Sequence, residues 1–161
     1  MERLEFPISG LKLDSEPLPP FLGQCMICGQ ANEQGVRLRF HRLVDPDGTM
    51  VGVGAESTVP DHFQGFDGLL HGGGICAFLD DAMWWAVYTT HRVVTVTADL
   101  ELRFRQPIPI SSSLRVEGIT GPGRRIYPAA SRLLDPAGRV LAEASGRFVV
   151  LPPKSGISLS V

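Results

Sequence analysis

The stretch "DGLLHGGGICAFLDDAMWWA", residues 67–86, decides how this chain is read. Three glycines, Gly72, Gly73 and Gly74, open an apolar run, and two adjacent acids, Asp80 and Asp81, interrupt its middle. Ile75, Leu79, Ala82 and Ala86 follow the i, i+4, i+7, i+11 spacing of one helix face. Met83, Trp84, Trp85 and Val87 add apolar surface on other sides, which predicts a helix buried nearly all round. From Gly74 to about Thr90 it would run about 25 Å at ~1.5 Å per residue.

On either side of this helix the apolar period shortens to two. Val36, Leu38 and Phe40 alternate with Arg37, Arg39 and His41, predicting a strand over 36–44. "DPDG" (45–48) then turns the chain into a second strand near Met50 to Val59. After the helix, "VVTVTADLELRF" (93–104) is long and β-branched and is stopped by Pro107 and Pro109. "SLRVEGIT", "RRIYPAASRLL" and "RVLAEASGRFVVL" follow, separated by "GPG" and "DPAG" turns. Residues 1–24, with Pro7, Pro17, Pro19 and Pro20, read as an arm lying over one domain of residues 25–151. Residues 152–161 read as a loosely ordered tail. Few helices separate the strands, so a parallel doubly wound sheet is disfavoured. The expected class is α+β, a curved antiparallel sheet wrapped around one long central helix.

With 161 residues the chain is long enough for one proper core, and 43% hydrophobic and 20% charged residues are ordinary for a globular protein. A net charge of −2 offers no electrostatic case for nucleic acid. No apolar run approaches the ~18 residues of a membrane span. "MERLEFPISG" lacks the apolar centre of a secretory signal, and with three cysteines in all this predicts a reducing, cytoplasmic setting. Cys25-Met26-Ile27-Cys28 is the one metal-like spacing. With Cys76 distant and no second pair, it reads as a tight turn in which Gly29 takes an awkward dihedral, and no metal is expected.

The element order together with "GLLHGGGICAFLDDAM" resembles the hot-dog-fold acyl-CoA thioesterases, in the branch of the phenylacetate-pathway and 4-hydroxybenzoyl-CoA enzymes. Their signature is His-Gly-Gly opening the helix and an acid nine residues after the histidine, here His71-Gly72-Gly73 and Asp80. "TADLELRFRQP" is similar to the family's strand that starts with a hydroxyl residue and ends in proline. "CMICGQANEQGVRLRF" resembles the Cys-rich opening of one bacterial subgroup. The resemblance implies hydrolysis of an acyl-CoA thioester to free acid and coenzyme A. It implies no cofactor beyond the coenzyme A of the substrate, and a homodimer or a tetramer of two dimers.

Helix N-termini present unpaired N–H groups and a partial positive charge, and glycine lets a carbonyl come close to them. The resemblance assigns the oxyanion donor to the Gly72 N–H, shared with Gly73, and the base or nucleophile to Asp80. Eight residues, about 12 Å of helix, separate Asp80 from Gly72, so the resemblance builds each site from two subunits. Asp81 is the competing acid, counted with the substrate-binding residues and read either as a hydrogen-bonded structural acid or as a neighbour that raises its partner's pKa. Gln64, seven residues before His71, is either a water- or carbonyl-orienting amide or an ordinary loop residue. Thr97 is either the strand hydroxyl that helps hold the attacking water or a plain β-branched residue. His71 is expected to buttress the loop. Arg103, Arg105, Arg124 and Arg125 are candidates for the coenzyme A phosphates, or members of a solvated strand face.

Two rival functions remain on sequence alone. A hot-dog hydratase or dehydratase would pair a helix histidine with an acid, and residues 74–90 contain no histidine. A non-catalytic acyl-CoA-binding module would be expected to lose the helix acid, and two acids are present.

Overall fold

His71, extended at φ −62° and ψ 140°, caps helix α1, which spans Gly72–His91. The helix thus begins two residues before the expected Gly74, because the histidine side chain closes its first turn. It ends where Arg92 turns left-handed, φ 56°, and its N–H bonds the Tyr88 carbonyl, a common way to stop a helix. The computed structural model describes residues 4–7 and 10–151, and the expected tail 152–161 lies outside them.

Strands β1 (Lys12–Pro17), β2 (His41–Val44) and β3 (Met50–Thr58) precede α1, and β4 (Thr95–Phe104), β5 (Ser113–Thr120), β6 (Ile126–Leu134) and β7 (Val140–Val150) follow it. They form one seven-stranded sheet in the order β1-β2-β3-β5-β6-β7-β4, with every neighbouring pair antiparallel. The sheet curves around α1 as expected. One pairing differs from a simple meander. β4 crosses to the far edge and pairs with β7, Thr95 opposite Val150 and Phe104 opposite Ala142, so β3 can meet β5 directly.

Two strands depart from the sequence pattern. The strand expected over 36–44 is confined to β2, because Arg37 adopts φ 56° and the preceding chain bonds the cysteine turn, Leu38 N–H to the Ile27 carbonyl at 2.8 Å. The arm contains β1, which pairs with β2 although most of its side chains are exposed. A strand held by its backbone ladder at a sheet edge has no buried face to impose alternation on its sequence.

Ile75, Phe78, Leu79, Ala82, Met83, Trp85, Ala86 and Val87 pack into the core with Phe40, Val53, Val116, Leu133 and Phe148. Full burial of side chains of this size is worth about 2 kcal/mol each. Gly118 of β5 lets helix and sheet meet. A Cβ there would stand 2.2 Å from the Ala82 carbonyl oxygen of α1.

Contrary to the expectation of burial all round, Cys76, Asp80, Trp84 and Tyr88 are only half-buried, at four-residue intervals along one stripe. The arm covers the C-terminal part of this stripe, with Phe21 lying 5.4 Å from Trp84 and 4.5 Å from Tyr88 between ring centroids. The part from Gly72 to Asp80 is left partly open.

On the other sheet face, Glu117 is 1% exposed and is held by Arg115 at 2.8 Å and Arg132 at 2.7 Å. A cavity of about 860 Å³ adjoins this triad, and neither Asp80 nor Gly72 lines it.

Candidate active site at the open face of the helix

The loop before α1 is tied at several points, which fixes where the helix starts. Leu70 N–H bonds the Ile108 carbonyl at 2.8 Å, and His71 N–H bonds the Phe63 carbonyl at 2.9 Å. His71 Nδ1 accepts from the Gly73 N–H at 2.7 Å. Histidine therefore acts as the expected buttress, here as an N-cap. The shared donor role expected of Gly73 is corrected by this bond, since its N–H is already engaged. The Gly72 N–H has no partner among the described residues and stands at the half-exposed tip of the helix dipole.

The three glycines differ in what requires them. A Cβ on Gly74 would lie 2.9 Å from the end of the Leu70 side chain and 3.3 Å from the Phe63 ring, so those side chains would have to give way. At Gly72 the nearest atoms are those of the Phe104 ring, at 3.7 Å, an ordinary contact. The fold would accept a methyl group at Gly72, so the bare backbone is free to serve a ligand.

Asp80 sits two turns further along the open stripe. Its Oδ1 accepts from the Thr97 hydroxyl of β4 at 2.8 Å, so the strand fixes the direction of this carboxyl. Burial raises the Asp80 pKa, and the Thr97 hydrogen bond works against that rise. A half-buried carboxyl with one fixed donor keeps its second oxygen free to take a proton or to attack.

Asp81 is elsewhere. Its Oδ1 accepts from Cys28 Sγ at 3.6 Å and Cys25 Sγ at 3.7 Å, beneath the 25–28 turn. The substrate-side role expected of Asp81 is therefore corrected: one step along a helix turns a side chain by about 100°, here away from Asp80 and beneath the cysteine turn. Burial drives its carboxyl well above the usual range. Cys25 is drawn down to about 5, chiefly by its hydrogen bond with Cys28.

Gln64 takes the loop reading. Its side-chain oxygen accepts from the Gly68 N–H at 3.0 Å and closes the turn before Leu69. Arg105 follows Phe104 at the Gly72 end but pairs with Glu143, and Arg103 pairs with Glu101 at 2.8 Å. Arg124 and Arg125 are exposed in the β5–β6 turn, at the other end of α1, where His91 meets the Gly121 carbonyl at 3.0 Å. They are about 28 Å of helix from Gly72 and form no common site with it.

Phe104 was not singled out by the sequence reading. β4 returns antiparallel alongside α1, so Thr97 meets Asp80 near one end while Phe104 meets Gly72 at the other. Its 58% exposure was the available signal only once the strand's place was known.

An antiparallel sheet wrapped on one central helix, with an acid in mid-helix and a bare glycine tip, is the hot-dog fold. Residues 67–120, about a third of the chain, match the family model described as the thioesterase superfamily. Among solved structures the chain is similar to a thioesterase superfamily protein at 23% identity and TM-score 0.68, covering 79% of this chain and 60% of that one. The chain thus spans about 60% of that structure's length. It is similar to zebrafish thioesterase superfamily member 2 at 17% identity and TM-score 0.64, covering 77% of this chain and 92% of that one. It is also similar to a phenylacetic acid degradation-related thioesterase of Ralstonia eutropha JMP134 at 24% identity and TM-score 0.56, over 62% of this chain and 76% of that one. A protein of Streptococcus mutans UA159 solved with acetyl CoA shares 19% identity at TM-score 0.58, over 62% of this chain and 80% of that one. No curated protein matches the chain. No helix among the described residues is long and apolar enough to cross a membrane.

Proposed function

We propose that this chain hydrolyses acyl-CoA thioesters, with Asp80 of one subunit and the Gly72 N–H of another forming each site. The observation that carries the reading is the pairing of a half-buried Asp80, oriented by Thr97, with a Gly72 N–H that no group among the described residues uses. The Streptococcus mutans protein solved with acetyl CoA supports the choice of acyl carrier.

The geometry of β4 supports the two-subunit site. β4 is an edge of the sheet, so one row of its N–H and C=O groups is free to pair. If two copies pair antiparallel along β4 with Thr97 opposite Phe104 of the partner subunit, Asp80 comes beside Gly72 of the partner subunit. The open stripe from Gly72 to Asp80 is covered in the same step. In that pair Asp80 takes a proton from the water that bonds to the thioester carbon and passes it to the departing sulfur. If Asp80 attacks directly instead, the mixed anhydride it forms is hydrolysed by water, which also supplies the thiol's proton. The negative charge growing on the carbonyl oxygen falls on the Gly72 N–H and the helix dipole behind it. One such donor is worth about 3 kcal/mol of barrier. Coenzyme A leaves as the thiol. Arg105, at the Gly72 end, is the cation best placed for its phosphates.

The test is release of free thiol from short, medium, long and aryl acyl-CoAs, with the oligomeric state followed by sedimentation. Turnover by a dimer, lost in Asp80→Asn, is the expected result. Tight acyl-CoA binding without thiol release by the wild type would favour the binding module, and conversion of an enoyl thioester would favour the hydratase.

A further inference from the structure

The Cys25–Cys28 turn and Asp81 play no part in that chemistry, yet the chain folds back more than fifty residues to bring them together. Two sulfurs and one carboxylate oxygen lie within 4.8 Å of one another. We propose that Cys25 Sγ, Cys28 Sγ and an Asp81 carboxylate oxygen bind one thiophilic divalent cation of the zinc class, which ties the turn to α1.

Three features of the geometry support this. The Sγ–Oδ1 separations are 3.7 and 3.6 Å. A tetrahedral ion with bonds of about 2.3 Å to sulfur and 2.0 Å to oxygen has an S···O edge of about 3.5 Å, so both S···O edges already fit such an ion. The turn is also built to present its sulfurs. Ile27 N–H points at Cys25 Sγ at 3.4 Å, Gly29 N–H bonds the Cys25 carbonyl at 3.0 Å, and a Cβ on Gly29 would lie 2.4 Å from the Cys25 nitrogen. Such an N–H favours a thiolate. Finally, Asp81 Oδ2 is buried and has no hydrogen-bond partner. The thiols satisfy Oδ1 alone, so they do not account for the buried carboxyl group as a whole.

Charge points the same way. Two sulfurs and a carboxylate held this close, with Cys28 buried and Cys25 and Asp81 half-buried, would repel one another as anions unless a counter-charge lay between them. Binding a divalent ion releases the thiol protons and leaves a net charge of one negative, with the fourth tetrahedral position open to water. A Cys25–Cys28 disulfide would instead draw the sulfurs together and remove both donors from Asp81. The sequence expectation of no metal counted only cysteines and histidines at set spacing. The third ligand is an aspartate 53 residues beyond Cys28, which that count does not include.

The inference is independent of thioester hydrolysis and is tested without it. Chain prepared with reductant and chelator, then desalted, is titrated with Co²⁺ and with Zn²⁺. One equivalent of Co²⁺ should give thiolate-to-metal charge transfer and the intense visible bands of a tetrahedral site, with Zn²⁺ displacing it and raising Tm. Cys28→Ser and Asp81→Asn should each weaken binding by more than about tenfold, while Cys76→Ser should leave it unchanged. Absence of these bands in the folded wild type overturns the proposal, whatever the variants do. So would bands that survive in Cys28→Ser, or a Cys25–Cys28 disulfide that persists under reductant and excludes Zn²⁺.

Discussion

Gly118→Ala tests whether the approach of helix to sheet sets both stability and the position of the acid. The new Cβ would stand 2.2 Å from the Ala82 carbonyl oxygen, 2.6 Å from its carbon and 3.2 Å from the Met83 nitrogen. All three are backbone atoms, so no side chain can swing aside. Real Cβ contacts are not found under 3.0 Å, so helix and strand must part by at least about 0.8 Å. Overpacking in a close-packed core costs about 1–3 kcal/mol, and a backbone obstacle belongs at the upper end. Asp80 lies only two residues before Ala82, so the shift also moves its carboxyl relative to Thr97. A displacement near 1 Å at a reacting group costs about a hundredfold in rate. Urea unfolding should therefore show a loss of about 3 kcal/mol, and thiol release should fall by more than tenfold in protein that is still folded. A variant within about 0.5 kcal/mol of wild type and fully active would show that α1 does not rest on Gly118.

Asp80→Asn should lower kcat by about a thousandfold in the thiol-release assay while Tm stays near wild type, because a general base or nucleophile is lost from a half-buried site. Gly72→Ala should separate activity from folding: unfolding free energy rises by about 0.5 kcal/mol, since the fold has room for the methyl, while kcat/KM falls by about tenfold or more as the methyl crowds the carbonyl. Glu117→Ala should cost about 3–5 kcal/mol in urea unfolding, because it leaves Arg115 and Arg132 facing each other around a buried position. Thr97→Val, nearly isosteric, should preserve the urea midpoint to within experimental scatter and reduce kcat by about tenfold through loss of the bond that orients Asp80.

Local patterns carried much of the architecture. β5 begins and ends where "SLRVEGIT" does, and β6 and β7 lie within their period-two runs, because alternate residues of each turn toward the helix. β1 was illegible for the opposite reason, being an exposed edge strand. The placement of β4 was illegible too, since alternation says which way side chains face and nothing about which strand lies beside it. In the candidate site, the resemblance pointed to His71, Gly72 and Asp80, and the structure places them at the N-cap, the first turn and the middle of α1, with Thr97 on Asp80. The two aspartates looked like one feature in the sequence. They proved to face different neighbours because Cys25 and Cys28 arrive from a distant part of the chain, which periodicity around residues 80 and 81 cannot report.

The crossing of β4 to the far edge also dictates the order in which the molecule can be built. β4 precedes β5, β6 and β7 along the chain, yet it hydrogen-bonds only to β7, the last of them. On the ribosome it must wait beside a completed greasy helix until the chain has emerged as far as Val150. Loop closure over such separations is slow, and the unsheltered helix and unpaired strand invite association with other chains in the interval. Slow, chaperone-sensitive maturation is therefore written into the strand order itself.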